Sequence, residues 1–339
     1  MPPSLRVQFF PAGPWRIGPD SGDRDRVDRI FHSDSLYSAV SRAMAQLGLL
    51  DEWLDATARA AEPAVRFSSC FPFHNEIFFV VPPRNLWPPP PSAKVRWKGA
   101  KFVPFKVVET LVNGVALIED EWTVDSVSEC LVPAGASGPF RVSVRSAAAV
   151  DRGGMGVAPH SAACLEFTPG AGLWAFAAFS DDAARDLWSD RLRGALRLLA
   201  DSGFGGQRSR GWGRTEEVLF SSEERGLSVS GASNGDSAWW ILSLFHPAES
   251  DAIDWQRGSY ALTTRGGRIE SEARWGEPKK PTRMVAEGSV LVASAEPRGA
   301  VANVAPEDFP HPVYRAGFAL AIPVPLSVTP SVTAARPAS

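Results

Sequence analysis

Cysteine is scarce: Cys70, Cys130 and Cys164 are the only three in 339 residues, an odd number without a C-x-x-C pair. Neither a disulfide framework nor a zinc ribbon follows from that pattern. The five histidines (His32, His74, His160, His246 and His311) are scattered, with no H-E-x-x-H and no paired ligand spacing, so no metal site and no cofactor are expected. A G-x-S-x-G elbow is missing, which removes the common serine-hydrolase signature. No stretch approaches the roughly 18 apolar residues of a membrane span. The opening MPPSLRVQFFPAG has no cationic head before a long apolar run, so no signal peptide is read. The expectation is a soluble, reduced, cytoplasmic protein.

Hydrophobic residues make up 44% of the chain, and 29 glycines with 29 prolines suit an ordered globular protein rather than a low-complexity one. At 339 residues the chain exceeds the size at which one core usually keeps growing, so two domains are expected. The net charge of −3 argues against a uniformly basic nucleic-acid binder. Its distribution is uneven. Arg84, Lys94, Arg96, Lys98, Lys101 and Lys106 follow one another without a carboxylate between them, and the stretch from Trp255 to Val285 carries seven cations against Glu270, Glu272 and Glu277. Each window also fits solvated surface charge. Only six of the 35 cations are lysine, a bias that suits phosphate contacts and base stacking and that a GC-rich genome also produces.

SLRVQFF alternates and reads as a strand. In FHSDSLYSAVSRAMAQLG, Leu36, Tyr37, Val40, Met44 and Leu47 recur at helical spacing, with Ser33 or Asp34 as N-cap and Gly48 as stop. AVRFSSCFPF and EIFFVVPP are strand-like. NLWPPPPS breaks the pattern, and AKVRWKGAKFVPFKVV reads as an extended basic hairpin. GLWAFAAFS is a buried strand, DDAARDLWSDRLRGALRLLADSG the clearest helix, and TEEVLFS the next strand. This order is that of a βαββαβ ferredoxin-like unit. The polar stretch SSEERGLSVSGASNGDS is a domain boundary, and AWWILSLFHP, GSYALTTRGGRI, GSVLVASAE and GFALAIPVPL form a β-rich second domain.

Between the main helix and the strand after it, GFGGQRSRGWGR (203–214) holds five glycines and three arginines with no acidic residue. Glycine admits positive φ and close backbone approach, successive N–H groups then suit anionic oxygens, and arginine forks suit phosphate. A tight turn with solvated arginines is the plainer alternative. The helix-to-strand setting and the missing G-K-[ST] argue against a P-loop. Trp212 is placed either to stack on a base or to pack on its own domain. His32, just before the first helix, is either part of the helix start or a general acid or base for metal-independent RNA cleavage.

Taken in order, FHSDSLYSAVSRA, VDRGGMGV, GFGGQRSRGWGR, GSYALTTRGGRI, AEGSVL and HPVYRAGFA resemble the RAMP superfamily of CRISPR-associated proteins, and within it most closely the fourth subunit of Csm-type (type III-A) effector complexes. The likeness runs from about residue 5 to about residue 325. It implies an α+β fold of tandem ferredoxin-like (RRM-like) domains with antiparallel sheets and an inserted β-hairpin thumb. Residues 1–220 would form the first domain with the thumb at about 84–160, residues 237–326 a degenerate second domain, and 327–339 a flexible tail. The implied function is that of a non-catalytic, group-five-like subunit. Such a subunit holds the repeat-derived 5′ handle of crRNA and bridges the large polymerase-like (cyclase) subunit to the backbone RAMP subunit.

By motif position, the resemblance assigns RNA contacts to Gly203, Phe204, Gly205, Gly206, Gln207, Arg208, Ser209, Arg210, Gly211, Trp212 and Arg214, with His32, Ser33 and Arg152 as neighbours, and Arg265 and Gly266 either as RNA contacts or as ties between the two domains. Lys94, Arg96, Trp97, Lys98 and Lys101 are assigned to the thumb, while Tyr314 and Arg315 fit a structural role better. The alternatives are a RAMP endoribonuclease that cuts repeat RNA with His32, and a structural bridge whose arginines meet acidic neighbours.

Overall fold

The computed structural model describes residues 2–19, 22–89, 96–150, 156–223, 229, 238–271 and 273–326. Lys94, Arg152, the tail at 327–339 and most of the expected boundary at 221–237 lie outside them. Strand β1 (Ser4–Pro11) buries Leu5, Val7 and Phe9 and leaves Arg6, Gln8 and Phe10 partly exposed, as its alternation requires. Helix α1 (Ser33–Gln46) turns Leu36, Tyr37, Val40, Ala43 and Met44 inward and ends before Gly48. Short α2 (Leu50–Ala56) contributes Trp53, which meets Tyr37 with ring centroids 5.6 Å apart.

β2 (Val65–Phe67), β3 (Phe71–His74) and β4 (Ile77–Val80) come next, then β5 (Val103–Pro104) and α3 (Phe105–Val112). A small ribbon, β6 (Trp122–Asp125) with β7 (Cys130–Pro133), precedes a long hairpin of β8 (Phe140–Val150) and β9 (Val157–Phe167). Its eleven paired positions per strand give it a span of about 35 Å. Strand β10 (Ala171–Phe179) is buried along its whole length. Helix α4 (Asp182–Ser202) is N-capped by Asp181, whose carboxylate accepts from the Ala184 N–H at 2.7 Å. β11 (Thr215–Glu223) follows.

These strands form a seven-stranded antiparallel sheet of order β11-β1-β10-β3-β4-β5, with β2 also paired to β10. The register puts Val7 opposite Ala175 on one side and Phe220 on the other. β11 and β10 therefore flank β1, the neighbourhood that a βαββαβ unit produces. β2 and β3 are two pieces of one strand interrupted at residues 68–70, and the freed groups reach outward. The Ser69 N–H donates to the Leu242 carbonyl (2.9 Å) and the Cys70 N–H to that of Phe31 (2.8 Å).

Beyond residue 237 the chain is built of strands. β12 (Ala238–Ile241), β13 (Ile253–Ser259), β14 (Leu262–Arg265), β15 (Arg268–Glu270), β16 (Trp275–Pro278) and β17 (Thr282–Val285) come first, then β18 (Val290–Ala293), β19 (Val301–Asn303), β20 (Tyr314–Ala316) and β21 (Ala321–Val324). Four of them make an antiparallel sheet of order β13-β18-β12-β21; the others pair as β14–β17, β15–β16 and β19–β20. No helix occurs among the described residues of 238–326, and no helix anywhere among the described residues is long and apolar enough to cross a membrane.

One apolar core runs from the first sheet into the second and includes Leu5, Phe71, Trp174, Trp240, Leu320 and Ile322. Trp240 is fully buried at the seam, where its indole N–H donates to the Val81 carbonyl (3.1 Å) and its ring lies 6.1 Å from that of Phe105 at 18°. Trp240→Ala is expected to lower stability by about 3–5 kcal/mol. Because the core is continuous, fluorescence and circular dichroism melts of the variant should coincide; two separated transitions would show instead that the halves unfold independently.

Candidate nucleic-acid interface

The glycine-rich loop is a backbone arch standing on an aromatic foot. Phe204 is buried, its ring 4.6 Å from Trp15, 5.0 Å from Phe31 and 5.2 Å from Phe9. Main-chain bonds tie the arch to the segment after β1: Gly206 N–H to the Arg16 carbonyl (2.8 Å), Gly213 N–H to Pro14 (3.0 Å) and Ala12 N–H to Arg214 (3.0 Å). The Trp15 indole N–H adds a bond to the Arg214 carbonyl (3.1 Å). A Cβ on Gly213 would lie 2.1 Å from the Phe204 carbonyl oxygen, so this glycine answers to close approach of two backbones. Gly211 has open space around it but a φ of +79°, so it answers to the left-handed turn alone.

The crest of the arch is a short 3-10 turn, Arg208–Arg210, flanked by Gln207 and Gly211 in left-handed conformation. Ser209, Arg210 and Arg214 are exposed there; Gly205, Gly206, Gln207, Arg208, Gly211 and Trp212 are half-buried. Arg210 donates to His160 Nε2 on β9 (2.8 Å), which sets the crest beside the β8–β9 hairpin. The hairpin base is anchored to the same segment as the arch. Ala163 N–H donates to the Arg24 carbonyl (2.8 Å), and the buried Arg16 guanidinium donates to the carbonyls of Asp23, Arg24 and Ala163 at 2.7–2.8 Å. Arch, loop and hairpin base are therefore bonded into one arginine-bearing surface.

Four of the assigned residues lie elsewhere, at the junction between the two halves of the chain. Asp34 is buried, with Arg265 Nε 3.2 Å from Oδ2, Arg265 Nη2 3.1 Å from Oδ1, and Arg315 also donating to Oδ2. Arg315 donates in addition to the Gly266 carbonyl. Burial pushes the Asp34 carboxyl up, but Arg265 and Arg315 outweigh it and hold it at about 2, against an ordinary 3.8. Next to it, His32 Nδ1 lies 2.7 Å from Glu287 Oε1 and His32 Nε2 lies 3.1 Å from Asp28 Oδ2, while the Ser69 hydroxyl bonds Glu287. Burial disfavours the imidazolium, yet Glu287 and Asp28 prevail and raise His32 to about 10. Ser33 is buried too: its hydroxyl accepts from the Leu244 N–H and its own N–H donates to the Ser69 hydroxyl, both at 2.9 Å.

These observations correct several assignments. The side chains of His32, Ser33 and Arg265 and the carbonyl of Gly266 are engaged in bonds that join the two halves of the chain. Phe204 is the core anchor of the arch. The reading of 93–108 as an extended basic hairpin begins outside the described residues, and from 96 onward it gives way to a packed segment in which Trp97, Phe102, Val103, Val107 and Val108 are buried and α3 begins straight after Pro104. Trp97 stacks on Trp87 (5.8 Å, 3°), Arg96 meets Asp120 (3.2 Å), Lys101 lies 3.9 Å from Asp28, and Lys98 is exposed. The missed signal was the helical recurrence of Val107, Val108, Leu111 and Val112, hidden by the prolines around it. The long hairpin is instead RVSVRSAAAV with VAPHSAACLEF, whose alternation was there to read.

A family model described as the CRISPR Csm4 C-terminal domain matches residues 234–324. No curated protein matches the sequence significantly. Among solved structures, a chain of the Csm3-Csm4 subcomplex in the type III-A CRISPR-Cas interference complex aligns with a TM-score of 0.64 at 16% identity, over 95% of this chain and 99% of that one. Chains of the Csm1-Csm4 cassette align over 96% of this chain and 99% of theirs, with TM-scores of 0.58 in complex with pppApA (16% identity) and 0.57 with AMPPNP (15% identity). The fold is thus shared with chains of type III-A Csm assemblies. The chain is similar to Csm4 in sequence over residues 234–324, and to these Csm-complex chains in fold over nearly its whole length.

Removing the shared carboxylate strands two buried guanidinium groups, so Asp34→Ala is expected to cost about 3–5 kcal/mol in denaturant unfolding. His32 is held above its ordinary 6.5, so its stabilisation is complete below about pH 6.5 and is lost as pH rises toward 10. Melting temperatures measured from pH 6.5 to 9.5 should fall more steeply for the wild type than for His32→Gln; parallel curves would refute the assignment. In the arch, Gly211→Ala should cost about 1–2 kcal/mol. Gly213→Ala should cost more, because a backbone carbonyl cannot move aside.

Proposed function

We propose that this chain is an RNA-binding structural subunit of a type III-A CRISPR interference complex. In this reading it holds the repeat-derived 5′ handle of crRNA and joins the large polymerase-like subunit to the backbone RAMP subunits. The observation that carries it is the arginine-bearing arch on a fold shared with chains of Csm assemblies along nearly the whole chain. The similar chains come from assemblies with Csm1 and with Csm3, which supports partners of those two kinds.

Phosphates would meet Arg208, Ser209 and Arg210 on the crest and Arg214 at the side of the arch, and the half-buried face of Trp212 offers a stacking surface for a base. Such contacts supply charge-based affinity, while base edges against backbone groups supply preference for the handle. The β8–β9 hairpin, bonded to the crest through Arg210 and His160, is the element we assign as the thumb. Arg96, Lys98 and Lys101 would then contribute at most long-range charge. The endoribonuclease alternative loses its general acid or base, because both nitrogens of His32 are engaged by carboxylates and the ring stays charged to about pH 10.

The test is binding of the purified protein to RNA ending in the cognate 5′ handle and to a scrambled RNA, across a salt series, with the RNA examined for cleavage. Arg208→Ala with Arg210→Ala should weaken binding and flatten the log–log salt dependence by about 0.7 for each phosphate no longer neutralised, leaving the RNA intact. Cleaved RNA, or binding indifferent to the double substitution, would overturn the assignment.

A further inference from the structure

Glu270, the last residue of β15, stands at the edge of the arch and is held by cations from two other elements. Arg208 Nη2 on the crest lies 2.9 and 3.0 Å from its two carboxylate oxygens, and Arg42 Nη1 on α1 donates to Oε2. Lys279 lies within electrostatic reach of the same carboxylate, its amine pushed down by burial first and by Arg315 next, with Glu270 acting in the opposite sense. One carboxylate thus meets two guanidinium groups, and the cluster keeps excess positive charge. It is also open: the side chains of Arg42, Glu270 and Arg208 are 43%, 42% and 30% exposed.

A carboxylate and a phosphodiester offer a guanidinium the same pair of anionic oxygens. We propose that Arg42 and Arg208 form a phosphate subsite for RNA, and that Glu270 fills it as an internal stand-in while RNA is absent. This extends the reading of the arch as an RNA-binding site and rests on it. Arg42 becomes a backbone contact that the glycine-rich motif does not reveal. Glu270 becomes a competitor that incoming RNA must displace, which lowers apparent affinity by the fraction of molecules in which the subsite is filled. Exposed ion pairs are weak, so the displacement is easy and the effect modest. An RNA backbone satisfies the cluster better than a fixed protein carboxylate, since it brings one charge per nucleotide along the crest toward Arg210 and Arg214.

The experiment compares handle RNA binding to the wild type, Glu270→Gln, Arg42→Ala and the double variant across a salt series, with a melting curve for each. The subsite predicts that Glu270→Gln binds about three- to tenfold tighter. It also predicts that Arg42→Ala binds several-fold weaker with a log–log salt slope smaller by about 0.7, and that the gain from Glu270→Gln shrinks when Arg42 is removed. Equal or weaker binding by a Glu270→Gln protein that melts like the wild type would overturn the proposal and make Glu270 a strut for Arg208. Should that variant not fold, an unchanged salt slope in Arg42→Ala overturns it just as well. Failure of the wild type to bind RNA at all would instead remove the reading of the arch, a result distinct from wild-type binding that Glu270 does not oppose.

Discussion

The architecture depends on one carboxylate. Asp34, on the first turn of α1, is buried against Arg265 from β14 and Arg315 from β20. Ionic groups taken out of water destabilise unless they are paired and fully bonded, so neither arginine is tolerable in the core without it. Helix α1 and the β14 and β20 ribbons of the second half are therefore held where this node is satisfied. The neighbouring set of Asp28, His32, Glu287 and Ser69 obeys the same rule with a second charge balance: one imidazolium between two carboxylates. Apolar burial around Trp240 supplies much of the driving force at the seam, but oil-like surfaces slide. The ionic node is what fixes position.

Position matters because the arch borrows its neighbours from both sides of that seam. Arg208 comes from the first half of the fold and Glu270 from the second, while Arg42 extends from the helix whose first turn carries Asp34. A shift at the node would misplace β15 relative to the crest. The arch itself is stiff, pinned by Phe204 below and by the bonds to Arg16, Pro14 and Ala12 at its sides. A binding loop already held in one conformation surrenders little entropy when a ligand arrives. Its glycines at the base serve this stiffness, which is the reverse of the flexibility that a glycine-rich sequence is usually taken to signal.

Local periodicity made much of the first half legible. The alternation of SLRVQFF, the helical recurrence in α1 and α4 and the glycines that stop them each register a burial pattern along a single element. The 96–112 segment was not legible, because its prolines pointed to extended chain while Pro104 marks a helix start. Motif arginines were recognised as important, and of the two roles open to Arg265 the fold bears out the tie between the two halves. Nothing in TTRGG or HSDS says that Arg265 will find Asp34, since that pairing spans more than two hundred residues and exists only once both sheets are formed. Likewise Ser33 looks like a helix cap in sequence, whereas the fold turns its hydroxyl toward Leu244 of the other half.

The same long-range pairing changes what arginine abundance means. Along the sequence, arginines crowd the regions around the arch, the hairpin and the β14–β17 ribbons. In the fold, Arg16 is committed to backbone carbonyls, Arg265 and Arg315 to Asp34, Arg141 and Arg145 to Glu166, and Arg42 and Arg208 to Glu270. What faces solvent beside the crest is a smaller set, chiefly Arg210 and Arg214. A chain of net charge −3 can therefore attract a polyanion only where internal carboxylates are outnumbered or displaceable, and the arch is such a place. On the proposed reading, affinity for RNA is set less by how many arginines the protein has than by how firmly its own acids hold them.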